Sequence, residues 1–475
     1  MRDRENRMTD PPHSPTSEAP VDLERPNPRS PRGVRIRRSL TVTAMAVVVA
    51  MIAIGVVRIV SVTRHVPSSR VVGRPAPSPS APASSPVAIP PPADLPSTPD
   101  AWSRAWLEPP PRSGSVLSIT AGGPGLVAVG AYFDSDDLAD VWTSSDGRTW
   151  SHVPGKELGP GEIDDVTAGG PGLVAVGTER NDEAETKSEC RGARRACAPG
   201  FHGAVWTSKD GVTWSRAPDD RIFRGALIQA VTAGGPGCVA VGLWDRVWYS
   251  SDGVTWDRAS VPTAQRPVSL TDVVASGDRL VAVGWSGSGI RTEPVIWTST
   301  DGMTWTDVTL NEEVFPLGSS VETVEGRRGF IAVGSESKKA RSAVWTSADS
   351  VTWHRVPADQ EAFVSRVPSP SDIATSLGLW SVTAGSGGYV AVGTDGYCSR
   401  GRDCPSAEAA VWTSTDGEAW YRVPTGPVFQ VRDPLRPSRN GGAAAWQVVP
   451  WGSRFVAVGD YDGGIAIWIS ESRKE

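Results

Sequence analysis

The sequence predicts an all-β chain: a seven-bladed β-propeller closed by an N-terminal outer strand, preceded by one transmembrane helix and a Pro-rich stalk. Three observations predict it. A ten-residue stretch, Val141–Trp150 (Val-Trp-Thr-Ser-Ser-Asp-Gly-Arg-Thr-Trp), recurs as Val205–Trp214, Val247–Trp256, Ile296–Trp305, Val344–Trp353 and Val411–Trp420. A second signature, typically Leu-Val-Ala-Val-Gly, ends at Gly130, Gly177, Gly242, Gly284, Gly334, Gly393 and Gly459, with a shortest spacing of 42 residues. That period fits one four-stranded propeller blade. The third observation is a mismatch, since seven such strands are followed by only six Asp-Gly-x-x-Trp or Asp-Ser-x-x-Trp endings.

Residues 1–38 are rich in Pro, Arg, Ser and Glu and poor in large apolar side chains. Such a segment buries too little surface to offset chain entropy, and disorder on the cytoplasmic side is expected. Residues 39–62 form the expected transmembrane helix, because Leu40–Val57 is an uncharged, mostly apolar run close to the length that spans a bilayer. Arg32, Arg35, Arg37 and Arg38 precede it, and Arg58 and Arg64 are the bases nearest its far end. The bias predicts a cytoplasmic N-terminus and an extracellular remainder in the cell membrane. The long preceding region and the absence of a small-x-small site weigh against a cleaved signal peptide. Residues 63–98, mostly Pro, Ser and Ala, read as an extended spacer of roughly 3.1 Å per residue.

Residues 99–475 are read as the propeller. In the cleanest repeat, Ala230–Ala233, Cys238–Val241, Val247–Ser250 and Thr255–Arg258 are short β-rich runs separated by Gly-Gly-Pro-Gly and Asp-Gly turns. That pattern predicts four antiparallel strands. The seventh unit stops after Ile465–Ser470, and Pro99–Arg104 resembles the tail of a repeat, Thr213–Arg216. The N-terminal piece is therefore expected to supply the outer strand of the last blade, leaving no open sheet edge there.

The repeated Trp-Thr-Ser-x-Asp-Gly-x-Thr-Trp resembles the Asp-box, or BNR, repeat of sialidase-like propellers. Here every copy is one residue shorter between Asp and Gly than that family's motif, and the fifth has Ser350 in place of Gly. The resemblance implies a propeller architecture and raises the question of glycoside hydrolysis. A sialidase would need an Arg cluster, a Tyr nucleophile with a Glu partner, and an acid Asp. The family's Arg-Ile-Pro motif is absent, and Tyr132, Tyr397 and Tyr461 have no Glu partner evident in sequence. No catalytic residue is assigned.

Asp146, Asp210, Asp252, Asp301, Asp349 and Asp416 read as structural, each accepting backbone hydrogen bonds in a turn whose next residue takes positive φ. Function is expected where the repeats differ. The length variation falls in loops joining second to third strands and blade to blade, on one face of the ring, which is read as the binding surface. Trp380 and Trp446 share a position just before the first strand of the sixth and seventh blades, matched elsewhere by Leu117, Asp164, Gln229, Thr271 and Val321, and are candidate ligand contacts with Trp244, Trp285 and Tyr132. Cys190 with Cys197 and Cys398 with Cys404 are candidate disulfides of an exported domain, and Cys238 reads as a buried free thiol.

Net charge is −6 overall. Nine Arg against six acids in 1–38, and four Arg against two acids in 39–100, leave −11 on the remainder, which argues against nucleic acid as a partner. No cofactor motif or metal cluster is read; Asp134, Asp136, Asp137 and Asp140 are taken as a solvated acidic loop rather than a calcium site. The expectation is a monomeric, membrane-anchored propeller binding a protein or glycan, with a cell-surface glycoside hydrolase as the alternative.

Overall fold

A computed structural model describes residues 94–471, apart from 109–113, 124, 133–137, 154–157, 181–199, 219–220, 236, 265, 288–290, 310–312, 337–340, 367–374, 398–406, 431–441 and 463. The expected transmembrane helix, the stalk up to residue 93 and all four cysteines of the candidate disulfides lie outside these residues. Among the described residues, no helix is long and apolar enough to cross a membrane.

The described residues form seven sheets, antiparallel but for one added edge strand, and each inner strand packs against the inner strands of its two neighbours, with the last reaching the first. This is a closed seven-bladed propeller. Blade three runs Ile228–Gly234, Gly237–Gly242, Arg246–Ser250 and Asp257–Arg258 from the channel outward. Its inner strand starts two residues earlier than expected, and its outer strand is only two residues long.

The ring closes through the N-terminus. Trp102–Arg104 pairs antiparallel with the last strand, Gly464–Ser470, in the register Trp102↔Ser470 and Arg104↔Trp468. The next residues were not anticipated as a strand. Trp106–Glu108 pairs in parallel with Thr149–Val153, the outer strand of blade one, making that sheet five-stranded. One short segment thus stitches the last blade to the first.

Two rings of seven tryptophans explain why the repeat keeps this residue. Trp142, Trp206, Trp248, Trp297, Trp345, Trp412 and Trp468 lie on third strands, and Trp102, Trp150, Trp214, Trp256, Trp305, Trp353 and Trp420 at or just before outer strands; all are buried. The apolar clusters they join span neighbouring blades; one holds Val127, Val129 and Val141 of blade one with Ile163, Leu173, Trp206 and Trp214 of blade two. Five third-strand indoles also donate to the connection arriving from the previous blade, at the carbonyls of Leu158, Ile222, Val314, Ala362 and Val428. Trp142 donates instead to Asp140 Oδ2 at 2.8 Å. Trp297 Nε1 has no hydrogen-bond partner among the described residues.

Each Asp-Gly turn is built alike. Asp146 Oδ1 accepts from the amides of Arg148 and Thr149 at 2.8 Å, Ser144 Oγ accepts from Gly147 N, and Trp150 Nε1 donates to Gly147 O. The amide contacts recur at Asp210, Asp252, Asp301, Asp349 and Asp416. In the fifth copy Ser350 itself takes φ of 67°, where the others have Gly.

Candidate functional site

The site follows from one irregularity repeated seven times. Every inner strand carries a β-bulge opposite the end of the second strand: between Val116 and Ser118, Ile163 and Asp165, Ile228 and Ala230, Leu270 and Asp272, Val321 and Thr323, Leu379 and Ser381, and Ala445 and Gln447. A bulge leaves one residue out of the ladder and bends its strand. It also accounts for the Gly that ends each Val-Ala-Val-Gly signature. A Cβ on Gly393 would meet the Gly378 carbonyl oxygen at 1.9 Å, and one on Gly130 the Ser115 oxygen at 2.0 Å. The inner strand leans so closely there that only glycine fits.

The residues left out of the ladder are Leu117, Asp164, Gln229, Thr271, Glu322, Trp380 and Trp446, one per blade. Trp380 and Trp446 therefore do share a position, but it lies within the inner strand rather than before it. The member from blade five is Glu322, not Val321. Its hairpin is one residue shorter, since Glu322 precedes Gly334 by 12 residues where Asp164 precedes Gly177 by 13. In ring order an apolar arc (Trp380, Trp446, Leu117) faces a polar arc (Asp164, Gln229, Thr271, Glu322). The bulges sit near the N-terminal ends of the inner strands, which receive the blade-to-blade loops, so this ring lies just inside the variable-loop face.

The apolar arc is organised. The Trp380 and Trp446 rings lie 5.9 Å apart at 56°, and both indoles remain partly exposed. Each is steered by the residue after its own second-strand Gly. Trp380 Nε1 donates to Thr394 Oγ1 at 3.0 Å, and Trp446 Nε1 to Asp460 Oδ2 at 2.9 Å. Asp460 Oδ1 accepts from Ser115 Oγ of blade one at 2.7 Å, and burial pushes its carboxyl up to about 6. The Trp380 ring lies over Gly378, where a Cβ would come within 2.9 Å of it.

The polar arc is not satisfied in the same way. Asp164 Oδ2 is out of solvent and has no hydrogen-bond partner among the described residues. Burial, then the neighbouring Glu162 and Asp165 carboxylates, raise its pKa well above the ordinary carboxylate range. Glu322 accepts from Ser320 Oγ at 2.6 Å, and burial raises it too.

The residue following each bulge has a different task. Ser118, Asp165, Asp272, Ser381 and Gln447 accept from the backbone amides of Val166, Val231, Val324, Val448 and Ile119 in the next blade. These side chains join five of the seven blade junctions at the channel wall. Burial lifts Asp165 to about 6 and Asp272 to about 7.

Other sequence candidates fall elsewhere. Trp244 and Asp245, at φ of 64° and 59°, form a two-residue turn in blade three, and Trp244 packs with Phe201, Leu227 and Leu243. Asp245 fixes that turn by accepting from Val268 N at 2.8 Å. Trp244 thus packs at the junction of blades two and three and stands apart from the Trp380–Trp446 pair. Trp285 is partly exposed on the second strand of blade four, opposite Ser269 and Pro294. Tyr132 ends the second strand of blade one opposite Gly114 and Leu138; its side chain, with Asp134, Asp136 and Asp137, lies outside the described residues. Asp140 is not part of a solvated loop. It is buried on the third strand, where it meets Trp142 and His152. Cys238 is a buried free thiol, raised to about 11 chiefly by burial.

Sequence reasoning missed a set of blade-internal ion pairs. Arg216 meets Glu179 at 2.7 Å, Arg355 meets Glu336, and Arg422 meets Asp395 at 2.5 Å. Arg104 lies 4.1 Å above the Tyr461 ring. The signal was present as Trp-x-Arg in five repeats, at Arg104, Arg216, Arg258, Arg355 and Arg422.

The DUF6242 beta propeller domain model matches residues 200–397. Virginiamycin B lyase from Staphylococcus aureus is similar in structure at 11% identity and a TM-score of 0.44, over 78% of this chain and 99% of that one. YCF48 bound to D1 peptide is similar at 13% identity and a TM-score of 0.45, over 79% and 96%. A glycosyl hydrolase from Bacteroides ovatus is similar at 12% identity and a TM-score of 0.32, over 76% and 85%. None of the curated proteins matches the chain.

Proposed function

We propose that the chain is a membrane-tethered binding module. Its propeller stands outside the membrane and takes a protein or glycan ligand at the channel mouth. The observation that carries the reading is the ring of bulge residues, in which two partly exposed, hydrogen-bonded indoles face a polar arc. Fixed aromatic faces beside polar groups suit both sugar stacking and the anchoring of a side chain. The blades share their strand signatures and turns, and this ring, with the variable loops above it, is where they diverge. The apolar run Leu40–Val57 and the Pro-rich stretch 63–98 support tethering. A mature protein whose mass begins near residue 65 would refute the anchor.

The test is a glycan array and a pull-down with the full chain, repeated with Trp446→Ala. Retention that falls at least tenfold in the variant, at an unchanged unfolding temperature, supports the reading. Equal retention by wild type and variant refutes it.

A cell-surface glycoside hydrolase is the second reading, favoured by one observation. Burial and the neighbouring Glu162 raise the Asp164 carboxyl well above the ordinary carboxylate range, the direction that suits a general acid. The seven inner strands contain no Arg, so the cluster that sialidase chemistry requires is not on them. Release of an aryl leaving group that Asp164→Asn abolishes would favour hydrolysis; no turnover on a panel of aryl glycosides would end it.

A further inference from the structure

The seven inner strands carry six carboxylates, Glu162, Asp164, Asp165, Asp272, Glu322 and Glu325, and no Lys, Arg or His. Three of the six are committed to blade junctions. Asp165 and Asp272 accept from backbone amides of the next blade, and Glu325 Oε2 accepts from Thr383 Oγ1 and Ala384 N. Of the others, Asp164 and Glu322 are members of the ring, and Glu162 lies beside Asp164. Two buried acids on second strands are answered by an arginine of the same blade, Asp395 by Arg422 and Glu336 by Arg355, and Asp460 is answered by two hydrogen-bond donors, Ser115 and Trp446. Asp164 and Glu322 have no such ion pair among the described residues, and Asp164 Oδ2 lacks any hydrogen-bond donor.

We propose that the channel mouth is a receptor for an organic cation. A protonated amine or guanidinium is received by Asp164 with Glu162 and Glu322, and its carbon skeleton lies against Trp380 and Trp446. This rests on the reading of the mouth as the ligand site and names what the ligand must carry. A carboxyl out of solvent with no donor is costly to ionise, and the missing donor is what an ammonium or guanidinium brings. The raised pKa of Asp164 is the response expected of a carboxyl without a counter-charge. An indole face is also the best aromatic surface for a cation, which joins the two arcs in one recognition chemistry. A lysine or arginine side chain and an amino sugar both present this group.

The experiment is calorimetric titration of the full chain at low ionic strength with four probes: tetralysine, its side-chain-acetylated form, a glucosamine tetramer, and its N-acetylated form. Either or both cationic probes should bind while their neutral counterparts do not, and the one that binds identifies the source. Asp164→Asn and Glu322→Gln should each weaken that binding at least tenfold without moving the unfolding temperature. Should one variant fail to fold, the other still decides. Failure of both cationic probes to bind, or equal binding of a neutral counterpart, overturns the proposal. If a neutral probe binds and Trp446→Ala abolishes it, the mouth remains the ligand site and only the cation is lost. If that binding survives Trp446→Ala, the mouth falls as well.

Discussion

At the scale of single residues, the repeat uses its charges internally. Arg422 and Asp395 are 1% and 0% exposed, and Asp395 also accepts from Ser365 Oγ and from Arg366 N. Taking one partner away leaves an uncompensated buried charge, whereas replacing the whole pair with apolar residues costs far less. Arg422→Ala should therefore lower stability by about 3–5 kcal/mol in denaturant titration. A loss below about 1 kcal/mol, the usual value of an exposed pair, would show that the pair is solvated in solution. The six turn aspartates were legible as structural because their neighbours repeat with them. The arginine clamps were not, because each half, Trp-x-Arg on the outer strand and Gly-Thr/Ser-acid at Glu179, Glu336 and Asp395 on the second, gives no sign in sequence that it meets the other.

At the scale of elements, the bulge is the organising device. The Val-Ala-Val-Gly signature was readable as a strand, but the residue that the bulge displaces carries no mark of its own. Only the glycine opposite records it, and counting back from Gly334 by the usual interval misses Glu322 by one residue because that hairpin is shorter. The junctions built beside the bulges have a pH signature. Burial raises Asp165 and Asp460 to about 6 and Asp272 to about 7 in the folded chain, against an ordinary 3.8. The folded state then holds more protons than the unfolded state between those values. The stability these groups give is fully present below about 4 and lost as pH rises through 6 and 7. The turn aspartates act oppositely: Asp210 and Asp349 are lowered to about 2, so their contribution is lost only as pH falls below 4 towards 2. The unfolding temperature should accordingly drop between pH 5 and pH 8; a rise over that interval would contradict the burial of these carboxyls.

At the scale of the whole molecule, ring closure depends on a segment of seven residues. Trp102 is 4% exposed within the last blade, Glu471 N donates to Ala101 O at 2.7 Å, and Arg148 of blade one meets Glu471 at 2.5 Å. Burial of a tryptophan alone is worth about 3–5 kcal/mol against alanine. Deleting residues 99–106 removes that side chain, the strand Trp102–Arg104 and the first residue of Trp106–Glu108, and should lower the unfolding temperature sharply; an unchanged melt would refute closure by the N-terminus. The blade number and this closure were legible from the missing seventh ending and its remnant at Trp102. The added parallel strand Trp106–Glu108 was not, because it matches no position of the repeat. Nor was the meeting of Trp380 with Trp446, 66 residues apart, since neither sequence segment records the neighbouring blade.

The claim that the ring of bulge residues is the ligand site has a direct test in oxidative footprinting of the full chain, with and without the ligand recovered from the array or pull-down. Trp106, 66% exposed at the outer edge of blade one, serves as the internal reference. Protection of Trp380 and Trp446 with Trp106 unchanged is the predicted result. Protection of Trp106, or of the Asp-Gly turns, while Trp380 and Trp446 stay as reactive as in the free protein would contradict the account.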